Sequence, residues 1–205
     1  MIIRMFLTTV LLTAAAAAFA QPADPDPNGI GIYFDQGAVD ESWCASGTVG
    51  SQVTAYLCLT RASDPSGFTD WEARIESSVP TTLAGFQIRG DATNAATAPE
   101  FVVSYGTPLP YQLSTVLLDI TVDVVWEWSI ALRVWPATVP RGAKNLPAYA
   151  TVDTPAFQTL GYSFGWDEIA EIPNWCASIN DAGCLGGPSV DVEATAWGRV
   201  KALYR

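Results

Sequence analysis

The feature that most restricts the fold of this chain is a strict two-residue alternation across residues 116–134. Every even position there is apolar, and most odd positions are polar or charged. Side chains of a β-strand point alternately to the two faces of a sheet, so the pattern predicts one buried and one solvated face. The stretch is longer than a usual strand of about 5 to 10 residues, so we expect a bend or hairpin near residues 123–127. The apolar residues stay on even positions throughout the stretch. This favours a loop with an odd number of residues or a bulged continuous strand over a two-residue turn.

Shorter runs of the same kind extend the β pattern over much of the chain. They occur at residues 29–35, 53–59, 71–75, 86–88, 101–105 and 190–196. Outside the first twenty residues, no stretch has the 3.6-residue period of an amphipathic helix. These runs predict an all-β protein, an antiparallel β-sandwich of immunoglobulin-like character formed by a single domain over residues 30–205. Residues 136–155 are punctuated by proline, and we expect them to form a long irregular C-terminal connection over the sandwich.

The N-terminus has the three parts of a secretory signal peptide. One early cation, Arg4, precedes an apolar stretch that ends at a small-x-small site, so we predict a signal peptide over residues 1–20, cleaved after Ala20. The apolar run of about 15 residues is shorter than the roughly 20 that a membrane span needs. Residues 21–29 alternate proline with acids and predict a tether. The mature chain is therefore expected in the periplasm or outside the cell, without membrane insertion.

Charge narrows the choice of partners. The chain has a formal net charge of −11, and loss of Arg4 with the signal peptide makes it −12. Such a surface repels nucleic acid and anionic lipid heads. We therefore expect no nucleic-acid partner.

Four cysteines in an exported chain predict disulfide bonds, for which three connectivities exist. Cys176 and Cys184 flank a segment that can loop back, so we favour a bond between them and, by default, a bond between Cys44 and Cys58. Neither pair has the close spacing of a zinc site, and no metal is predicted.

The chain contains no histidine, which removes the usual residue of Ser-His-Asp and Cys-His sites and of many metal centres. Two carboxylates could still cleave a glycosidic bond. The candidate pairs are Asp119 with Asp123, and Asp70 with Glu72. Acids that alternate with apolar residues more often keep a strand face soluble, so we predict no catalytic residues and no enzyme activity.

Eight tryptophans raise the alternative of sugar binding, because exposed indoles stack on sugar rings. Trp126 and Trp128 share the apolar register of residues 116–134, so we expect them in the core. Trp43, Trp166 and Trp175 lie in loop-like contexts and are the candidate ligand-binding residues. For Trp43 and Trp175, packing against an adjacent disulfide is the competing interpretation.

Calcium is a further option, although no cofactor is predicted. Oxygen donors are grouped in two places, at Asp24, Asp26 and Asn28 and at Asp167, Glu168 and Glu171. Neither group matches an EF-hand loop, and a solvated acidic loop is the default interpretation.

Several short motifs together resemble a known group of proteins. They are G-I-Y-F-D at 31–35, D-W-E at 70–72, P-L-P at 108–110, L-P-A-Y at 146–149, C-A-S-I-N at 176–180 and W-G-R-V-K-A-L-Y-R at 197–205. The chain is similar in these motifs to uncharacterised exported proteins of environmental bacteria, and that resemblance implies export and a β fold but no mechanism. At the level of fold it also resembles cohesin-like and other immunoglobulin-like sandwiches, which act as adhesion or docking modules.

The sequence therefore predicts an exported, non-catalytic binding or structural module, with a protein or a glycan on the cell surface as its partner. One alternative is a carbohydrate-binding module or a glycoside hydrolase with two carboxylates. Another is a surface assembly or adhesion subunit that accepts a strand at an exposed sheet edge.

Overall fold

The computed structural model of the protein describes residues 27–163, 166–167, 172–173 and 177–182. Within these ranges the secondary structure is strands and two short 3-10 turns, Asp40–Trp43 and Pro80–Thr82, and no helix there is long and apolar enough to cross a membrane. The strands are β1 (Gly29–Tyr33), β2 (Cys44–Ala45), β3 (Gln52–Thr60), β4 (Phe68–Ser77), β5 (Leu83–Ile88), β6 (Ala92–Asn94), β7 (Glu100–Leu109), β8 (Ser114–Asp123), β9 (Ile130–Trp135), β10 (Ala148–Thr151), β11 (Gln158–Thr159), β12 (Gly161–Tyr162), β13 (Trp166–Asp167), β14 (Ile172–Pro173) and β15 (Ala177–Ile179).

The strands form two large sheets, and the predicted all-β, immunoglobulin-like sandwich is confirmed. The first sheet has the order β12-β1-β3-β8-β5, and its longest ladder joins β3 to β8 from Gln52 opposite Asp123 to Thr60 opposite Ser114. A bulge interrupts this ladder at Leu117, and the extra residue is buried. Strands β13 and β14 form a separate two-stranded sheet. The sandwich is not purely antiparallel, because the short strands β12 and β2 pair in parallel with β1 and β15.

Strand β4 organises the second sheet. One of its edges pairs with β7, which continues to β6. Its other edge is shared, because β10 pairs with its first half and β9 with its second half. Strands β9 and β10 therefore lie along one edge, interrupted by an excursion of the chain over residues 136–147. From β9 the sheet continues to β15 and β2, and from β10 to β11.

The core lies between the two sheets and is formed by the residues that the alternation marks as apolar. Trp71 is fully buried on β4, stacks on Phe101 with ring centroids 5.6 Å apart, and donates from its Nε1 to the hydroxyl of Tyr105 at 2.9 Å. This bond satisfies the one polar atom of the indole inside the core. The predicted strand faces at 53–59, 71–75 and 101–105 are thus confirmed.

The alternation over residues 116–134 belongs to two strands that lie in different sheets. Strand β8 is in the first sheet and β9 in the second, and six residues, 124–129, connect them. The predicted odd loop or continuous strand is therefore wrong. From Leu118 onward, both strands direct their even residues into the same core because the two sheets face it from opposite sides, so no hairpin ladder fixes the length of the connection.

Part of the predicted irregular connection is a strand. All four residues of β10 are buried, and β10 pairs with β4 at Tyr149 opposite Trp71. Its sequence, Ala-Tyr-Ala-Thr, does not alternate in polarity because both of its faces are covered. Residues 190–196, where a last alternation was predicted, lie outside the described residues.

The predicted bond between Cys44 and Cys58 is wrong, because Cys58 is a free, buried thiol. Cys58 lies in the first sheet within a small cluster with Tyr33 and Ala38, whereas Cys44 lies on β2 at an edge of the second sheet. Cys44 is nevertheless disulfide-bonded. The predicted bond between Cys176 and Cys184 falls outside the described residues.

Candidate functional site

Two tryptophans are exposed at the end of the sandwich where the chain crosses from β8 to β9. Trp126 is 51% and Trp128 71% exposed, although their even positions predicted burial. That prediction is wrong because residues 124–129 leave the ladder of both strands, so the two-residue alternation no longer decides which way a side chain points. Two exposed indoles in one six-residue loop are a large apolar surface for a solvated loop.

These indoles border an open groove of about 290 Å³, which we call the tryptophan groove. Its lining residues are Val49, Val125, Trp126, Glu127 and Trp128. Val49 and Val125 are also exposed, so the apolar surface continues onto the neighbouring loop of residues 46–51. Glu127 is the one charged residue of the lining. The groove therefore offers two aromatic rings, two aliphatic side chains and one carboxylate to a ligand.

Backbone hydrogen bonds join the two loops that form the groove. Gly50 donates to the carbonyl of Val124 at 2.8 Å, and Val124 donates to the carbonyl of Ser51 at 2.9 Å. A Cβ at Gly47 would lie 2.7 Å from Cγ2 of Val124, so a glycine is required for this close approach. The base of the groove is thus fixed by main-chain contacts.

Asn180 fixes the same loop from the other side. Its Oδ1 accepts from the backbone N–H of Gly47 at 2.8 Å, and its Nδ2 donates to the carbonyl of Gly47 at 2.9 Å. The backbone of Asn180 has a φ of 59°, in the left-handed region that asparagine tolerates better than most residues. Next to it, Asp181 accepts from the hydroxyl of Ser129 at 3.2 Å. Hydrogen bonds therefore join residues 180–181 to both of the loops that form the groove.

The described segments that form and support the groove carry charge of one sign. Residues 45–52, 123–129 and 180–182 contain three carboxylates, those of Asp123, Glu127 and Asp181, and no lysine or arginine. The carboxylate of Asp123 accepts from Gln52 at 2.9 Å. The groove is therefore apolar at its surface and negative in its surroundings.

The structure does not make a catalytic pair of Asp119 and Asp123. They lie four residues apart on β8, about 13 Å along an extended strand, beyond the roughly 5 to 10 Å of a glycosidase pair. Asp119 accepts from Nε of Arg89 at 2.8 Å. Each of the two carboxylates thus has a hydrogen-bond partner.

Asp70 and Glu72 are held together by Arg141. The fully buried Glu72 carboxylate accepts from the backbone N–H and the Nε of Arg141 at 2.7 and 3.0 Å, and from the N–H of Gly142 at 3.1 Å. Arg141 also lies 3.5 Å from Asp70, whose Oδ1 accepts from Ser104 at 2.5 Å. Glu72 therefore anchors the 136–147 excursion and has no access to a substrate.

The other predicted ligand-binding tryptophans are not brought to the groove by the described residues. Trp43 is 38% exposed in the 3-10 turn that precedes β2 and does not line the groove. Trp166 is the first residue of β13, but its side chain is outside the described part of the chain. Trp175 lies entirely outside it.

Few of the predicted calcium donors can be placed. The Oδ1 of Asn28 accepts from the N–H of Ser63 at 2.8 Å and from the hydroxyl of Tyr149, so it has partners within the protein. Asp24, Asp26, Glu168 and Glu171 and the side chain of Asp167 lie outside the described residues. Among the residues that are described, no group of three acids or cysteines is placed to hold a metal ion.

A second cavity, of about 260 Å³, lies near the beginning of β8. Its polar lining includes Arg89, Gln112 and Thr115. Arg89 is engaged by Asp119, and the hydroxyl of Thr115 exchanges hydrogen bonds with the backbone of Gln112. Arg89 and the Thr115 hydroxyl are thus committed to internal contacts, and the lining contains no aromatic side chain among the described residues, so the tryptophan groove is the stronger candidate.

No protein-family model matches the chain, and no curated protein matches it. Similar solved structures are cohesin modules. The sixth cohesin of scaffoldin B from Acetivibrio cellulolyticus, in complex with a Cel5 dockerin, is 9% identical, with 76% of this chain and 99% of that chain covered and a TM-score of 0.48. A cohesin module from a family 33 glycoside hydrolase of Clostridium perfringens is 12% identical, with 75% and 96% covered and a TM-score of 0.46. A type II cohesin domain from the cellulosome of Acetivibrio cellulolyticus is 16% identical, with 76% and 96% covered and a TM-score of 0.43. These likenesses concern the fold alone, in line with the predicted likeness to cohesin-like sandwiches.

Sequence reasoning missed the site because its main signal pointed to the core. Trp126 and Trp128 continue the pattern of apolar residues at even positions in β8. That pattern does not show that the ladder ends at Asp123. The one available signal was the run Val-Val-Trp-Glu-Trp at 124–128, which places adjacent apolar residues where an alternating strand would have a polar one. Asn180 gave no local signal, because its partner Gly47 is distant in sequence.

Proposed function

We propose that this protein is an exported, non-catalytic binding module that takes its ligand in the tryptophan groove. The observation that carries the proposal is the exposure of Trp126 and Trp128 on a loop held by main-chain bonds at Val124 and by the bond from Ser129 to Asp181. Large side chains held on a rigid base lose little conformational freedom when they bind, which favours affinity. Tryptophan is also among the residues that contribute most to binding at interfaces.

The carboxylate pairs predicted as candidates do not favour an enzymatic role over a binding one. The chain has no histidine, and the carboxylate pairs considered for catalysis are engaged by Arg141, or are too far apart along β8. A glycoside hydrolase needs an acid and a second carboxylate in one open cleft. Neither of the two predicted pairs provides that arrangement.

A carbohydrate-binding module is the second candidate, because two exposed indoles two residues apart are suited to stacking on sugar rings. In that case Glu127 would accept hydrogen bonds from sugar hydroxyls. A surface assembly subunit has a separate basis. Within the described residues β5 pairs only with β8, and its six residues carry no charge, so its other edge is suited to strand addition.

The test screens the mature chain, residues 21–205, against a glycan array and a peptide array, and repeats each hit with Trp126→Ala and Trp128→Ala. We expect both variants to lose the hits. The matched control is Leu113→Ala, which removes an exposed apolar side chain at the opposite end of β8, about 30 Å away. Hits that survive both tryptophan variants, or that Leu113→Ala also abolishes, would show that the groove is not the binding site.

A further inference from the structure

We infer that the tryptophan groove recognises a segment of a partner protein that presents lysine or arginine beside an apolar side chain. This inference rests on the proposed function and names the chemistry of the ligand. It follows from two features taken together, the exposed indoles and the negative charge of the segments around them. Neither feature specifies the ligand by itself.

The electrostatics of the groove favour a cation. Glu127 lines it between two indoles in sequence, and Asp123 and Asp181 lie in the segments that support it, without any cation in these segments. A mature chain of net charge −12 adds a negative potential that accelerates encounter with cationic partners and disfavours anionic ones. This field disfavours an anionic ligand, and a neutral ligand gains nothing from it.

The indoles favour the same ligand. Tryptophan is the best aromatic partner for a lysine or arginine cation placed over its ring. Elsewhere in the protein such contacts are internal, with Arg74 5.8 Å from the ring centroid of Trp135 and Arg141 4.2 Å from that of Phe157. At the groove the rings are exposed, and no arginine or lysine is among the described residues that line it, so we expect the partner to supply the cation.

The aliphatic part of the groove calls for an apolar neighbour on the ligand. Val49 and Val125 both line the groove and are exposed. The stem of a lysine or arginine and an adjacent apolar side chain would cover them, with the charged end left near Glu127. The groove is of a size for a few side chains, which suits a short segment of a partner.

The experiment uses synthetic nonapeptides that alternate lysine or arginine with leucine, and matched peptides in which each cation is replaced by glutamine. Binding to the mature chain is measured by calorimetry at about 0.05 M and 0.5 M NaCl. We expect the cationic peptides to bind at least about tenfold more tightly than the glutamine peptides, with the difference reduced at high salt because screening shortens the reach of the charges.

Two variants assign the effect to the groove. Glu127→Gln should weaken the cationic peptides and leave the glutamine peptides unchanged, whereas Trp128→Ala should weaken both. Asp153→Asn is the matched control, since Asp153 is an exposed acid just beyond β10, at the opposite end of the sandwich.

The outcomes separate this inference from the proposed function. Equal affinity for cationic and glutamine peptides, or binding of neutral glycans that depends on Trp128 but not on Glu127, would overturn the inference and leave the binding groove intact. Binding of neither peptides nor glycans would overturn both. A loss with Asp153→Asn equal to that with Glu127→Gln would show a general charge effect and also overturn the inference.

Discussion

The buried carboxylate of Glu72 lies 3.0 Å from Nε of Arg141. Glu72 is in β4, near the position where the pairing of its edge changes from β9 to β10. Arg141 belongs to the 136–147 excursion, so this ion pair joins an irregular segment to the centre of the second sheet. The N–H groups of Arg141 and Gly142 donate to the same carboxylate, which compensates for its removal from water.

Arg141→Met should destabilise the protein by about 2 to 3 kcal/mol in urea unfolding. Loss of one partner of a fully buried pair costs about 3 to 5 kcal/mol, and the smaller value applies because Arg141 is 32% exposed. Arg89→Met is the control, since its pair with Asp119 is more exposed and is worth about 0 to 1 kcal/mol. Equal losses in the two variants would contradict a special role for Glu72.

Alkylation should distinguish the cysteines. Cys58 is buried, and burial raises the pKa of its thiol to about 12, so iodoacetamide at pH 8 should leave it unmodified in the native protein and modify it completely in denaturant. Non-reducing peptide mapping by mass spectrometry should link Cys44 to Cys176 or Cys184. A cross-linked peptide that contains Cys58 would contradict both statements.

The stability of the protein should depend on the protonation of Cys58 at alkaline pH. The folded state holds the thiol proton more tightly than the unfolded state, whose thiol pKa is near 9.0, so this stabilisation is complete below pH 9 and declines as the pH rises toward 12. The difference in unfolding free energy between the wild type and Cys58→Ala should therefore shrink between pH 9 and 11. A difference that is constant over this range would show that the thiol has the same pKa in both states.

The tryptophans should separate sharply by their contribution to stability. Trp128→Ala removes an exposed side chain and should change the free energy of unfolding by no more than about 0.5 kcal/mol. Trp71→Ala removes a core indole with a hydrogen bond to Tyr105 and should cost about 3 to 5 kcal/mol. A large loss with Trp128→Ala would mean that this indole packs in the core after all.

Asn180→Ala should loosen the loop of residues 46–51. It removes both side-chain hydrogen bonds to Gly47 and leaves a residue less suited to positive φ, at a combined cost of about 2 to 4 kcal/mol. Asn180→Asp keeps the acceptor for the Gly47 N–H and should lose about half as much. Amide hydrogen exchange at Gly47 and Gly50 reports the local effect, and unchanged exchange in the alanine variant would contradict it.

Much of the fold could be predicted because alternation is a local property of the chain. The strand around Trp71 places its own apolar side chains on one face, whatever its neighbours are. The site could not be predicted for the opposite reason. Whether Trp126 and Trp128 are buried depends on where the ladder with β3 ends, and whether Cys58 pairs depends on which sheet Cys44 joins. Both are decided by contacts between residues far apart in the sequence.

The interruption between β9 and β10 has a consequence for how the chain tolerates change. Strands β9 and β10 both pair with the same edge of β4. The register of each strand is set by its own pairing with β4, so it does not depend on the length of residues 136–147. Insertions or deletions within it should leave the register of both strands intact, provided that an arginine still reaches Glu72. The excursion is therefore the natural place in this protein to graft a foreign peptide or a label.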